Sequence, residues 1–254
     1  MNLKAIHRPK GVIQDSELIL NPFSGCSHNC WYCYIKRRYR RELPYQEPAK
    51  GASLKKIKNE LEVLHRNNDK MSVLISDFGD PYDCGRKPTI TLFGEHWHLR
   101  SVLEEFKRFD HPFRILTKGG TRAIKDFDLY GPNDEFGCTL TCDNDTDSKK
   151  NEPGAALPED RINALKEAYQ RGIRTWVNFE PVLFPEQTLR LIERTHPFVS
   201  YYLVGKLNHF PLEEEKTDWR KFRKDAETLL QSHGANYCVK HELEQATWGE
   251  LIRR

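Results

Sequence analysis

The sequence predicts an α/β fold: a partial (β/α)6 barrel of the TIM type with a short C-terminal strand–helix extension. Two observations carry this. Six short apolar runs recur along the chain, each followed by a longer segment, most of them with helical periodicity, and such alternation implies a parallel sheet covered by helices. Each run also ends in hydrogen-bonding or charged residues, or in a cysteine-rich loop, and in barrels of this kind the βα loops gather at one mouth. The 254 residues contain no linker-like stretch and no repeat. The chain therefore reads as a single domain, residues 1–254, with a core over about 17–234 and a C-terminal cover over 235–254.

Taken in order, residues 17–20 form a short, mostly apolar strand that ends at Asn21-Pro22 and delivers a cysteine-rich loop. Residues 43–51 are punctuated by Pro and Gly and read as a loop. Ser53 is a suitable N-cap for a helix to about residue 67, with Leu54, Ile57, Leu61 and Leu64 on one face. A strand over 71–76 leads to the polar loop Asp77 to Asp83, then a helix over 92–109 and a strand over 113–117 ending in Lys118-Gly119-Gly120. Thr121 caps a helix to residue 129, and 135–141 is a strand. Pro158 opens a helix to residue 171, the first-turn position that suits proline. A strand over 174–180 is stopped by Pro181, followed by a helix over 185–195, a strand over 199–204 and a helix over 218–233. The extension is a strand over 236–240 and a helix over 241–252.

Composition excludes several classes. The mean hydropathy is −0.73, and no apolar run approaches the ~18–20 residues that span a bilayer. Residues 1–20 lack the apolar stretch of a signal peptide. Seven cysteines without a secretory signal fit a reducing cytoplasm, with thiols used as ligands rather than as disulfides. A net charge of +3 is too small to imply a polyanionic partner by itself. Its distribution says more, because Lys36, Arg37, Arg38, Arg40 and Arg41 follow the cysteine loop almost without a break.

That loop is Asn21-Pro22-Phe23-Ser24-Gly25-Cys26-Ser27-His28-Asn29-Cys30-Trp31-Tyr32-Cys33-Tyr34. Cys26, Cys30 and Cys33 have the spacing C-x3-C-x2-C. Three close thiolates can ligate three irons of a [4Fe-4S] cluster, and no fourth ligand is evident nearby. One iron then stays open, which is what radical chemistry with S-adenosylmethionine (SAM) needs. The rival for this trio is a structural zinc site completed by His28 or Cys84, but zinc loops usually offer two close pairs.

The ordered set of motifs is similar to the spore photoproduct lyase-like family of radical SAM proteins, often described as DNA repair photolyase-like. The matching segments are Asn21 through Tyr34, Asp80-Pro81-Tyr82, Ile115-Leu116-Thr117-Lys118 with Lys125-Asp126-Phe127-Asp128-Leu129, and Glu152-Pro153 with Arg161-Ile162. The resemblance implies a barrel of the radical SAM kind, with Cys26, Cys30 and Cys33 holding the cluster. It implies that the backbone around Tyr32 and Tyr34 faces the adenine of SAM. Ser76 and Asp77 would lie near the methionine amino group, Lys118 and Thr141 near the carboxylate or ribose, and Arg161 near a carboxylate of SAM or substrate. The lyase itself has a hydrogen-returning cysteine shortly before the aspartate matching Asp80; this chain has Asp77 there, and Cys84 follows four residues beyond Asp80. Asp77 and Cys84 are therefore candidate catalytic residues; Cys138 and Cys142, four apart on a strand and its exit, read first as packed core thiols, with Cys142 a further candidate as hydrogen-atom relay. Asp80, Thr139, Asn178 and Glu180, at strand ends, complete the candidate cofactor-binding set.

The expected activity is reductive cleavage of SAM to a 5′-deoxyadenosyl radical that takes hydrogen from a damaged or modified nucleobase. Flavodoxin or ferredoxin would be the reductant. The basic run interleaved with Tyr34, Tyr39 and Tyr45 has the composition of a strand-binding surface, cations for phosphates and aromatic faces for bases; a solvated helix face reads equally well. Radical modification of a small metabolite or peptide, and a metal-stabilised nucleic-acid binding module, are the alternatives.

Overall fold

The computed structural model describes residues 3–8, 18–39, 48–85, 89–91, 94–96 and 98–248, with backbone alone at 38–39, 89–91, 94–96 and 248. The first half runs β1 (Ile6–His7), β2 (Leu18–Leu20), α1 (Tyr34–Tyr39), α2 (Leu54–Arg66), β3 (Val73–Ile75), a hairpin of β4 (Thr89–Thr91) and β5 (Gly94–His96), α3 (His98–Arg108) and β6 (Phe113–Thr117). A 3-10 helix (Gly120–Leu129), β7 (Glu135–Thr139), α4 (Asp145–Asn151), α5 (Pro158–Gln170) and β8 (Arg174–Val182) follow. The chain continues through α6 (Pro185–Thr195), β9 (Tyr201–Lys206), α7 (Pro211–Glu214), α8 (Trp219–Ser232), β10 (Asn236–Val239) and α9 (His241–Trp248).

Eight strands form one sheet in the order β1-β2-β3-β6-β7-β8-β9-β10. The six predicted strands are all present as β2, β3, β6, β7, β8 and β9, side by side and parallel. β10 adds a seventh parallel strand, pairing Cys238 with Leu203 and Val239 with Val204, and β1 caps the other edge antiparallel. The sheet is open, a partial barrel. The extension thus lengthens the sheet as well as covering its end.

Alternation along the strands sorts side chains onto two faces. Ile75, Ile115, Cys138, Val177, Phe179 and Val204 pack toward the helices in the main core. Ile19, Leu74, Trp176 and Leu203 form a separate inner cluster that plugs the barrel. Arg114 joins the plug, its guanidinium 4.4 Å from the Trp176 ring centre and ion-paired to Glu135 at 2.7 Å. Gly137 makes room for this layer, because a Cβ there would lie 2.4 Å from the Trp176 ring. The plug fills the lower barrel and leaves the C-terminal strand ends for chemistry.

Several expectations are corrected. The helix expected over 92–109 is α3 alone, and 94–96 is a strand of the hairpin, with 92, 93 and 97 outside the described residues. The segment after β6 winds as a 3-10 helix, its tight turns starting at Gly120 with φ +60°. Pro181 does not stop its strand: β8 runs to Val182, with a register break between Phe179 and Val182 that accommodates a residue lacking an N–H. The Glu180–Pro181 bond is cis. Helices α4 and α7, strand β1 and the hairpin were not predicted.

Candidate active site

The cysteine loop leaves β2 and crosses the mouth of the barrel. It is held there at three places by the segments after two later strands, β3 and β7, so its shape is a tertiary property. Asn21 Oδ1 accepts from the backbone N–H groups of Asp77 and Phe78 at 2.8 and 2.9 Å, and Gly25 N–H donates to Phe78 O at 3.2 Å. The Ser27 N–H donates to Asp83 Oδ2 at 2.6 Å, and the Ser27 hydroxyl donates to Asp83 Oδ1. Gly85 N–H in turn donates to Ser27 Oγ at 3.1 Å. Cys84 therefore sits in a loop docked one residue from Cys26.

The third support comes from the segment between α4 and α5. Gly154 N–H donates to His28 O at 2.9 Å, and a Cβ at Gly154 would meet Ser27 O at 2.4 Å. Trp31 Nε1 donates to Asn151 Oδ1 at 2.6 Å. The Tyr32 hydroxyl donates to Glu152 Oε1, and Arg161 Nη2 donates to Glu152 Oε2 at 2.5 Å. Tyr32, Glu152 and Arg161 are all buried. Arg161 spends its other donors on Ala156 O at 2.7 Å and Thr139 O at 2.9 Å. Burial alone would raise the Glu152 carboxyl, but the Arg161 and Lys118 cations outweigh it and hold the group below its ordinary range.

Asp80 is a second hub. Its carboxylate accepts from Thr117 Oγ1 at 2.5 Å, Tyr82 N at 2.9 Å and Lys118 N at 2.7 Å, and His28 Nδ1 lies 3.6 Å away. It ties the loop after β3 to the end of β6. Asp80 and Arg161 thus lie beneath the mouth as girders, with their polar atoms committed to protein partners. Gly119 and Gly120 pack against Tyr82 and Asp160 in the same layer.

The cysteines themselves grade from exposed Cys26 through half-buried Cys33 to buried Cys30. Burial pushes the Cys30 thiol up to about 11, with Lys118 opposing and Glu152 adding to the rise. Such a site favours thiolates only with a cation among them. Three cysteine thiols are the donor type that suits an iron–sulfur cluster. Leu207, Leu183 and Phe210 pack against Cys30, Tyr32 and Cys33 and give the site an apolar wall.

At the C-terminal strand ends, Ser76 Oγ after β3 and Asn178 Oδ1 on β8 are buried without a hydrogen-bond partner, and Thr141 Oγ1 after β7 has at most the weak Cys142 thiol. An orphaned buried polar group costs about 1–3 kcal/mol, so a polar ligand spanning these ends would relieve them. Ser76 adopts φ +75°, uncommon for a residue with a side chain, and its N–H donates to Leu20 O at 2.7 Å. Lys118 Nζ lies 5.7 Å from the Tyr32 ring centre. Tyr34 reaches from α1 to Asp77, its hydroxyl donating to the backbone O at 2.8 Å and to Oδ1 at 3.0 Å. Glu180 is bound by Lys240 at 2.5 Å and by Asn208 at 3.4 Å, so the extension supplies a charge to the mouth. Cys142 is buried, and burial together with the Glu152 carboxylate pushes its thiol up to about 12.

The match to known proteins accords with this geometry. Residues 20–199 match the model of the radical SAM superfamily. The chain belongs to that superfamily. Its members are enzymes that carry a [4Fe-4S] cluster and SAM, and the matched span takes in Cys26, Cys30 and Cys33 on the loop after β2. The chain is 28% identical over 202 residues to a Methanocaldococcus jannaschii protein, MJ0683, covering 77% of this chain and 72% of the relative. Streptococcus suis SuiB bound to S-adenosylmethionine shares the fold with a TM-score of 0.63 at 15% identity, over 92% of this chain. The match covers 49% of SuiB, so the chain spans about half that protein's length. Spore photoproduct lyase complexed with dinucleoside spore photoproduct gives a TM-score of 0.67 at 11% identity, over 94% of this chain and 80% of the lyase.

Sequence reasoning missed Glu152 as the partner of Arg161, Asp83 as the clamp on Ser27, and Lys240. The only signal for Glu152 was its place in the Glu152-Pro153 motif. Of the basic run, Lys36 and Arg37 are described, while Arg40 and Arg41 lie outside the described residues, as does the side chain of Arg38.

Proposed function

We propose that this radical SAM enzyme is lyase-like and acts on a damaged or modified nucleobase in a nucleic-acid strand. The observation that carries the reading is the rim of the cysteine loop. Trp31 and Tyr34 are 41% and 39% exposed there, which is uncommon for such large apolar groups. The Arg37 guanidinium lies 5.2 Å from the Phe210 ring centre, and Phe210 packs edge-on to Trp31 at 4.9 Å. Exposed rings for stacking beside cations for phosphate are the parts of a single-strand site. The motif set and the lyase's fold support the same reading.

When bound, the cluster and SAM supply a 5′-deoxyadenosyl radical that takes a hydrogen atom from the substrate. The chain's own residues orient and enclose. Cys26, Cys30 and Cys33 hold the cluster; Ser76, Thr139, Thr141 and Asn178 offer hydrogen bonds to SAM, with Lys118 and Glu180 as charges at the two sides. Tyr34 fixes Asp77 at the position where the lyase returns a hydrogen atom from cysteine. A carboxylate cannot make that return, so the proposed reaction ends with a thiol, Cys84 or Cys142, or with 5′-deoxyadenosine as the hydrogen donor. Seven free thiols fit a reducing compartment, which favours the cytoplasm, and flavodoxin or ferredoxin is the proposed electron source. Among the described residues no helix is long and apolar enough to cross a membrane.

The test is binding of a fluorescent single-stranded oligonucleotide across a salt series. Replacing Lys36 and Arg37 by Ala lowers the log–log salt slope by about 1.4, two phosphate contacts' worth, and Trp31→Ala weakens binding by about 1–3 kcal/mol. Wild-type affinity and slope in both variants would remove the nucleic-acid reading.

A further inference from the structure

A second cluster of ligand-type side chains lies away from the barrel mouth, on the outer face where α6 and α8 end. Glu193 is in the last turn of α6, His196 is the residue that caps that helix, and His233 caps α8. Among the described residues these three have donor atoms that all lie within 4.8 Å of one another. The two imidazole rings stack at 3.8 Å between centres with an 11° tilt, and His233 Nε2 lies 3.0 Å from Glu193 Oε2.

We propose that Glu193, His196 and His233 form a divalent-metal site, with zinc the ion that fits the donors best. Two imidazoles and one carboxylate are a common zinc set, leaving a fourth position for water. Electrostatics favour a cation at this spot for a reason independent of the ligands. Two helices end here together, and each C-terminus carries roughly half a negative charge on its free carbonyls. The carboxylate adds to that field. The two imidazoles stand side by side at this end, 3.8 Å between ring centres. A shared metal ion uses both as neutral donors.

The geometry needs a modest adjustment. Zinc at ~2.1 Å from nitrogen and oxygen brings donors to about 3.4 Å from one another. Stacked rings aim their nitrogen lone pairs side by side, so one imidazole must turn out of the stack to share an ion; Glu193 is more than half exposed and both histidines are partly exposed, which leaves room for that turn. The consequence is mechanical. His233 is followed by Gly234, with φ +61°, and then by β10, whose end carries Lys240 to Glu180 at the mouth. An ion across α6 and α8 would fix the end of α8 from which the C-terminal extension starts.

The experiment uses the cluster-loaded enzyme under anaerobic conditions, so that Cys26, Cys30 and Cys33 are already occupied. Zinc alone is titrated by calorimetry, and thermal unfolding is followed with and without it. The expected result is one zinc per chain and a higher Tm with the ion, with affinity at least tenfold weaker in His196→Ala, His233→Ala and Glu193→Gln. The metal-free Tm of Glu193→Gln should stay close to wild type, because the changed group is exposed. Absence of zinc binding to the loaded enzyme would overturn the proposal. So would zinc binding of unchanged affinity in all three variants, which would assign the ion to another site.

Discussion

Replacing Arg161 by Met should damage the cysteine loop from below. Arg161 is 1% exposed and its Glu152 partner is equally buried. Methionine keeps much of the apolar stem but removes the cation, the bonds to Ala156 O and Thr139 O, and the ion pair. Breaking one side of a buried pair costs about 3–5 kcal/mol, because the carboxylate is left without its counter-charge. For a chain of this size that is roughly a 6–20 °C fall in Tm. The pH dependence carries the sign of the effect. Glu152 is held below its ordinary pKa, so its stabilisation is fully present above ~4.3 and is lost as pH falls through the folded value. The deficit of Arg161→Met should therefore be largest near neutrality and shrink in acid, where a protonated Glu152 no longer needs a cation. Tyr32→Phe removes only the hydroxyl bond and should cost about 1–2 kcal/mol. Because both variants act through Glu152, their effects should not add. The assay is thermal unfolding by circular dichroism from about pH 3 to 8, with iron per chain after anaerobic reconstitution as a second readout. A Tm loss under about 3 °C at pH 7, or a deficit that grows in acid, would refute the reasoning.

Other outcomes follow from the same geometry. Cys30→Ala should leave no stable cluster, whereas Cys84→Ala and Cys142→Ala should keep wild-type iron content, as measured by iron and sulfide analysis. Gly137→Ala forces a Cβ to 2.4 Å from the Trp176 ring and should cost about 1–3 kcal/mol by overpacking, with a shift in tryptophan fluorescence. Asp134 accepts from Phe113 N at 2.9 Å and Gly131 N at 2.6 Å, and burial pushes its carboxyl up to about 6. The folded state then binds its proton more tightly than the unfolded one, so this group's contribution falls as pH rises between roughly 4 and 6. Asp134→Asn should remove that slope, seen as a flatter Tm–pH curve.

The barrel was legible because its strands are short apolar runs whose ends turn polar, and both signals are local. Val73–Ile75 and Phe113–Thr117 need no tertiary information to be seen. The hairpin was hidden because Gly94 to His96 sits beside an amphipathic run that continues as α3, and a two-residue edge strand such as β1 has no period to read. The proposed ligand trio could be named from sequence because its three thiols lie in one loop. The supports were not. Arg161 lies next to Glu159 and Asp160 at the start of a helix, where charge usually faces water, and nothing local shows that Glu152 waits in the core. Asp80 looked like a ligand contact for the same reason: its motif marks the position, but only the fold shows three hydrogen bonds from Thr117, Tyr82 and Lys118 already on it.

The most direct measurement of the central claim is 5′-deoxyadenosine formed from SAM by the anaerobically reconstituted, chemically reduced enzyme. The account predicts product from enzyme carrying about four irons per chain, and none from Cys30→Ala. A complete, reducible cluster that binds SAM and yields no 5′-deoxyadenosine would contradict it.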